Sequence, residues 1–202
     1  DMIINCKYLI PVIPENTVLI DYSIAVDDGK ILQIGPYKEI ESKWNAIKYE
    51  DLQNHCVLPG LVNSYSQASM SLLNNFQLAE ENSSRIKQLK TIQSTLVDEN
   101  FVSEGSLLGI NQMVKKGITC FGDNFFFPDN TISISKYVGV RTQIGLILTK
   151  DSSVYAKNFE DYIHKGLDTR DQYKDLSLLT FAIAPINACL LYTSPSPRDR
   201  EK

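Results

Sequence analysis

The sequence predicts an α/β protein in two parts, on three observations. An Asp28-Gly29 pair separates two strand-like runs near the N-terminus, so residues 1–56 read as a small antiparallel β unit. From residue 57 onward, short apolar runs alternate with longer segments of helical period, the pattern of a parallel sheet. No Gly-x-Gly-x-x-Gly follows any of these runs, which argues against a dinucleotide-binding sheet. A doubly wound sheet and a (β/α)8 barrel both fit the alternation.

Taken in order, residues 2–10 are apolar with polar interruptions and read as a strand, and 18–26 as a second. Asp27-Asp28-Gly29-Lys30 then turns the chain into a third at Ile31-Leu32-Gln33-Ile34, because a type I′ turn needs positive φ at both central positions. Residues 36–50, which carry Trp44, read as a short helix or loop. Val57-Leu58-Pro59-Gly60-Leu61-Val62-Asn63 opens the second part as an apolar run with a polar end. Residues 85–116 read as helix. Phe101, Leu107, Leu108, Ile110, Met113 and Val114 recur at helical spacing, and Lys115-Lys116-Gly117 supplies a basic last turn and a glycine cap. A buried strand follows at 118–123, a helix near 129–138, a strand at 141–148, a helix at 156–168 and a strand at 178–184. That makes half the strands a barrel needs.

Composition narrows the function classes. The 202 residues carry 20 Lys and Arg against 24 Asp and Glu, a net charge of −4, so no basic face for nucleic acid is expected. No apolar run approaches the roughly 20 residues that span a bilayer. The first residues lack the basic-then-apolar pattern of a signal peptide, which makes the cytoplasm the default location. Cys6, Cys56, Cys120 and Cys189 form no Cys-x-x-Cys pair and read as buried or partly buried reduced thiols. The two histidines are His55 and His164.

The stretch Cys189-Leu190-Leu191-Tyr192-Thr193-Ser194-Pro195-Ser196-Pro197-Arg198-Asp199 has no periodicity. It resembles the translation of a transposase-type sequencing adapter, which would end the natural sequence near Ala188. A natural Ser/Pro-rich tail is the alternative.

The informative segment runs from Val57 through Pro59-Gly60-Leu61-Val62-Asn63-Ser64-Tyr65-Ser66-Gln67-Ala68-Ser69-Met70 to Leu73. It resembles the first barrel strand of the amidohydrolase superfamily, in the branch of chlorohydrolases, triazine hydrolases and S-adenosylhomocysteine/methylthioadenosine deaminases, where the pattern is V-x-P-G-L-V-N-T-H-T-H-x-x-M-x-x-L. Val26 to Gly35 is similar to the family's I-x-D-G-x-I-x-x-I-G, and Gly117 to Phe126 to its G-x-T-x-x-x-D-x-Y-F. The resemblance covers most of residues 2–188. It implies a small β-sandwich over 1–56 and the first half of a (β/α)8 TIM-type barrel over 57–188, and the adapter-like stretch makes 189–202 a non-native tail.

The resemblance also implies a metal-dependent hydrolase, with zinc or another divalent cation. In that family the two histidines of H-x-H end the first strand, on one side of it because strands have period 2. Barrel active sites form at that end. A bound metal there lowers the pKa of a water toward ~7 and makes a hydroxide that attacks an electrophilic carbon. Here Tyr65 and Gln67 stand at the two histidine positions, and a phenol and a primary amide are poor zinc ligands. In Pro185-Ile186-Asn187-Ala188, Ile186 stands where the family's P-H-x-P-Y has a histidine that touches substrate. No metal or other cofactor is therefore expected in this chain. The remaining family ligands would lie beyond residue 188.

Each singled-out residue has two readings. Tyr65 and Gln67 either bind a ligand by hydrogen bonds or fill a former metal cavity. His55 is a replacement ligand or a loop residue at the domain junction; His164 is a ligand or a solvated residue on an outer helix. Asp123 faces the site or braces a neighbouring loop. Phe125-Phe126-Phe127 stacks on a heteroaromatic substrate or packs under the barrel rim. Asp123, Phe125 and Met70 are the candidate pocket residues. Three functions follow: a hydrolase of C–N bonds in cyclic amidines such as adenosine- or triazine-like rings; a non-catalytic paralogue that binds a small heteroaromatic molecule or acts in a homo-oligomer; and a re-sited or metal-independent hydrolase. The lost imidazoles favour the second.

Overall fold

The structure, a computed structural model, describes residues 1–76 and 80–186. Asn187, Ala188 and the adapter-like stretch from Cys189 lie outside the described residues. The chain divides into two compact units, Asp1–Gly60 and Leu61–Lys202.

Among the described residues the first unit carries one four-stranded sheet, of order β3-β2-β1-β4. Its strands are β1 (Met2–Leu9), β2 (Leu19–Asp27), β3 (Lys30–Pro36) and β4 (Lys48–Val57). Asp28 and Gly29 both have positive φ, 46° and 68°, as the tight turn between β2 and β3 requires. The sheet is mixed rather than wholly antiparallel. After β3 the chain forms helix α1 (Tyr37–Lys43), and β4 then pairs parallel to β1, with Met2 opposite Lys48 and Leu9 opposite Val57. A helix-length connection is what permits that parallel return. Ile40 of α1 packs on Ile3 and Ala25, and a second cluster gathers Cys6, Leu9 and Ile24. Cys6 is buried, Cys56 is exposed on β4 and Cys120 is intermediate, so burial does not extend to Cys56.

Val57 therefore closes the first sheet instead of opening the barrel. Pro59 lacks a ladder donor and Gly60 is a weak strand former, so the pair interrupts the apolar run. The first barrel strand, β5, is Leu61–Ser66. It leads a second sheet of order β5-β6-β7-β8, with β6 at Ile118–Asp123, β7 at Arg141–Leu148 and β8 at Leu179–Pro185. All three pairings are parallel.

The helical stretch between β5 and β6 is two helices, α2 (Asn82–Thr95) and α3 (Glu99–Lys115). Asp98 breaks them apart by accepting from the N–H of Phe101 at 2.7 Å, an N-cap. The buried face of α3 is Val102, Gly105, Ser106, Gly109 and Ile110, whereas Leu107, Leu108 and Val114 are exposed. That face meets a 3-10 helix, Ala68–Leu73, which follows β5 directly. Helix α4 (Pro128–Val138) starts on a proline, which loses no helical hydrogen bond there, and ends on left-handed Gly139. Helix α5 (Phe159–Tyr173) is capped by Asn158, which accepts from Asp161 N at 3.0 Å. Among the described residues no helix is long and apolar enough to cross a membrane.

Candidate functional site

The C-terminal ends of the four parallel strands meet around a cavity of about 760 Å³. Tyr65 and Gln67, separated by one residue, both reach it from the end of β5. Asn124, Phe125 and Phe126 line it from the end of β6, Ile147 and Thr149 from β7, and Pro185 and Ile186 from β8. A polar edge of α2, including Lys90 and Gln93, and residues 151–154 complete the wall. Tyr65, Gln67 and Ile186 thus share one cavity although 121 positions separate the first from the last.

Two of the candidate pocket residues lie elsewhere. Met70 packs against the core that holds Val102, Phe125 and Tyr162. Asp123 is buried, 3% exposed, and turned into the protein rather than the cavity. It accepts from the backbone N–H of Ala68 at 2.7 Å and from the hydroxyls of Ser66 at 3.2 Å and Thr131 at 3.4 Å. It therefore braces the start of the 3-10 helix. This role was hard to read from sequence because its partners lie 55 and 57 positions back along the chain.

Burial raises the Asp123 carboxyl to about 6, against an ordinary 3.8, while the Ala68, Ser66 and Thr131 hydrogen bonds pull it down. A carboxyl raised on folding stabilises the fold fully below about 3.8, and that contribution is lost as pH rises through about 6. Asp123→Asn removes this titration. The variant is expected to stay within about 1 kcal/mol of the parent at neutral pH, because its amide oxygen still accepts from Ala68. Its stability should be flatter between pH 4 and 6. Urea unfolding across that range checks this; an unchanged slope would assign the dependence to another group.

Phe125 and Phe126 are buried, with ring centroids 5.1 Å apart, and form the apolar floor. Phe127 caps α4 in a left-handed conformation and faces away, onto a second cavity of about 490 Å³ among α3, α4 and α5. There Lys165 Nζ lies 5.1 Å from the centre of the Tyr155 ring, and burial pushes that phenol up to about 12. None of the residues that line the strand-end cavity lines this second one. His55 is exposed on β4 in the first unit, not in a loop, and His164 is exposed on α5; neither reaches the strand-end cavity.

Among the described residues, the lining of this cavity does not by itself fit zinc. Tyr65, Gln67, Asn124 and Thr149 offer a phenol, two amides and a hydroxyl, and Asp151 adds a single carboxylate, where zinc favours three or four imidazole, thiolate and carboxylate ligands. The carboxylate that ends β6 has both oxygens engaged inside the protein. Among the described residues no three His, Cys, Asp or Glu side chains gather as a metal site. The cavity offers aromatic and aliphatic walls with amide and hydroxyl groups placed among them. Apolar walls with a few placed polar groups are the usual lining of a small-molecule site.

No model of a known protein family matches the chain. It is similar to the 5-methylthioadenosine/S-adenosylhomocysteine deaminase of Saccharophagus degradans, 30% identical over 92% of this chain and 42% of that protein. It is also similar to the 5′-deoxyadenosine deaminase of Methanosarcina mazei, 32% identical over 73% of this chain and 34% of that protein. Among solved structures, an adenosine deaminase from Xanthomonas campestris with bound zinc superposes with a TM-score of 0.89 at 26% identity, over 92% of this chain and 42% of that one. The zinc complex of an atrazine chlorohydrolase from Arthrobacter aurescens superposes with a TM-score of 0.78 over 92% of this chain and 46% of that one; at 17% identity this is a likeness of fold. The chain spans about 42% of the length of the first of these curated relatives.

Proposed function

We infer, from the chain's place in the amidohydrolase superfamily beside the methylthioadenosine/S-adenosylhomocysteine deaminases, that it is part of a longer protein that binds an adenosine-like heteroaromatic molecule without hydrolysing it. On this reading residues 61–186 are the opening half of the barrel and carry one wall of the binding pocket. The observation that carries the reading is the pair Tyr65 and Gln67. They occupy the cavity at the end of β5, where the family pattern has its H-x-H ligands, and Ile186 joins them where that pattern has a further histidine. A metal hydroxide needs ligands that hold the cation firmly. A phenol and an amide at the first two positions supply a weak hold.

The relatives' names support the ligand class, since they act on adenosine derivatives. The cavity supports it as well, because buried rings and aliphatic side chains suit a purine and the amides suit its polar edge.

The test uses the full-length protein, purified from zinc-supplemented medium. Metal content is measured by mass spectrometry and ammonia release is followed with methylthioadenosine and 5′-deoxyadenosine. The expected result is zinc far below one ion per chain and no ammonia above the uncatalysed rate. Stoichiometric zinc with turnover would overturn the reading in favour of an active deaminase that uses ligands from the rest of the barrel.

A further inference from the structure

Gln67 sits between two residues tied to one buried carboxylate. Asp123 holds the Ser66 hydroxyl at 3.2 Å and the Ala68 N–H at 2.7 Å. The N–H of Asn124 donates to the Ser66 carbonyl at 3.0 Å. The backbone on both sides of Gln67 is thereby pinned to β6, and what remains free is the side chain's own rotation.

That rotation has a preferred sense. Gln67 Nε2 donates to the carbonyl oxygen of Asn124 at 3.5 Å, a long hydrogen bond. A carbonyl oxygen only accepts, so the NH2 end of the amide is the end turned toward Asn124. Oε1 and the second N–H are left for a ligand in the cavity. One acceptor beside one donor matches the edge of an aminated nitrogen heterocycle. The exocyclic amine donates to Oε1 and the adjacent ring nitrogen accepts from Nε2, the pairing by which amide side chains read adenine. An oxo group in place of the amine would set two acceptors face to face.

The neighbourhood agrees with a flat, uncharged ring. Tyr65 shares the cavity and is 64% exposed, so its ring is available for stacking. Phe125, Ile147 and Ile186 add apolar surface. Lys90 and Asp151 on the wall carry opposite charges and favour no net charge in the ligand.

We propose that Gln67 is the specificity-determining residue of this pocket, its anchored carboxamide selecting an amino-substituted purine over the oxo-purine that deamination would produce. The proposal rests on the non-catalytic reading above. The protein would then hold what a deaminase consumes and reject what a deaminase releases.

Calorimetric titration of the full-length protein with adenosine and with inosine tests this. Wild type is expected to bind adenosine about ten-fold or more tightly than inosine, in line with the discrimination of a good amide–base pair. Gln67→Leu should bring the two affinities within about two-fold of each other, because it removes both hydrogen-bonding groups. Gln67→Glu, which keeps the shape but offers two acceptors, should weaken adenosine and not inosine; unchanged thermal unfolding of either variant shows that it folds. Equal binding in wild type, binding of neither nucleoside, or a preference that survives in both variants overturns the proposal. Ammonia release or stoichiometric zinc in the same sample overturns the non-catalytic reading instead, so the two failures are distinguishable.

Discussion

Gly105→Ala is expected to destabilise the full-length protein by about 2 kcal/mol, although alanine is the better helix former by about 1 kcal/mol. Gly105 lies in the buried face of α3, against the 3-10 helix that follows β5. A Cβ on Gly105 would run into the backbone carbonyl of Ser69, and one on Gly109 into that of Ala68. Both obstacles are main chain, which cannot rotate aside as a flexible side-chain end can. Ala68 is moreover held by Asp123 through its N–H. Overpacking of this kind typically costs 1–3 kcal/mol, and here it must exceed the propensity gain to give a net loss. Gly105→Val should cost more and should also weaken ligand binding, since a shift of Ala68 moves Gln67. Denaturant unfolding of the two variants beside Leu107→Ala, an exposed position on the same helix, separates the effects. If Gly105→Ala proves more stable than the parent, helix propensity has won and the 3-10 helix is free to slide.

Residues 1–202 expressed by themselves are expected to self-associate. β5 and β8 are the outer strands of the second sheet, each paired on one side only. Both carry apolar side chains in the open: Val62 is 67% exposed and Ile183 71%. Unpaired strand edges beside exposed apolar surface recruit another chain. Relative length points the same way, since the chain spans about 42% of the relatives that share its fold. Size-exclusion chromatography with light scattering should show oligomers or aggregate for residues 1–202, and a defined species once the rest of the protein is present. A monomer of residues 1–202 that unfolds in one cooperative step would sink this expectation.

Several elements were legible without a structure because their causes are local. The Asp28-Gly29 turn is written in two residues that tolerate positive φ. β6 and β7 fall at 118–123 and 141–148 as their apolar runs indicate, and the Lys115-Lys116-Gly117 signal ends α3. The alternation of these elements is enough to imply a parallel sheet. Positions 65, 67 and 186 draw notice through the resemblance to a family pattern, which needs identity and order but no coordinates; that they share one cavity came from the structure.

Other features depended on partners far along the chain. The parallel return of β4 to β1 is a choice of neighbour, and nothing within residues 48–57 states it. Between Val102 and Ile110 the face that α3 buries is two glycines and a serine, which carry no hydrophobic period, because close approach of the 3-10 helix selects small side chains there. Asp123 ends a strand and so looked able to face the cavity. Its inward turn is decided by donors on Ser66 and Ala68, brought beside it only when β5 and β6 pair. Turns, caps and strand periods follow from backbone sterics within a few residues. Which side of a strand end meets solvent, and which meets the core, follows from packing between segments, and only the tertiary structure supplies it.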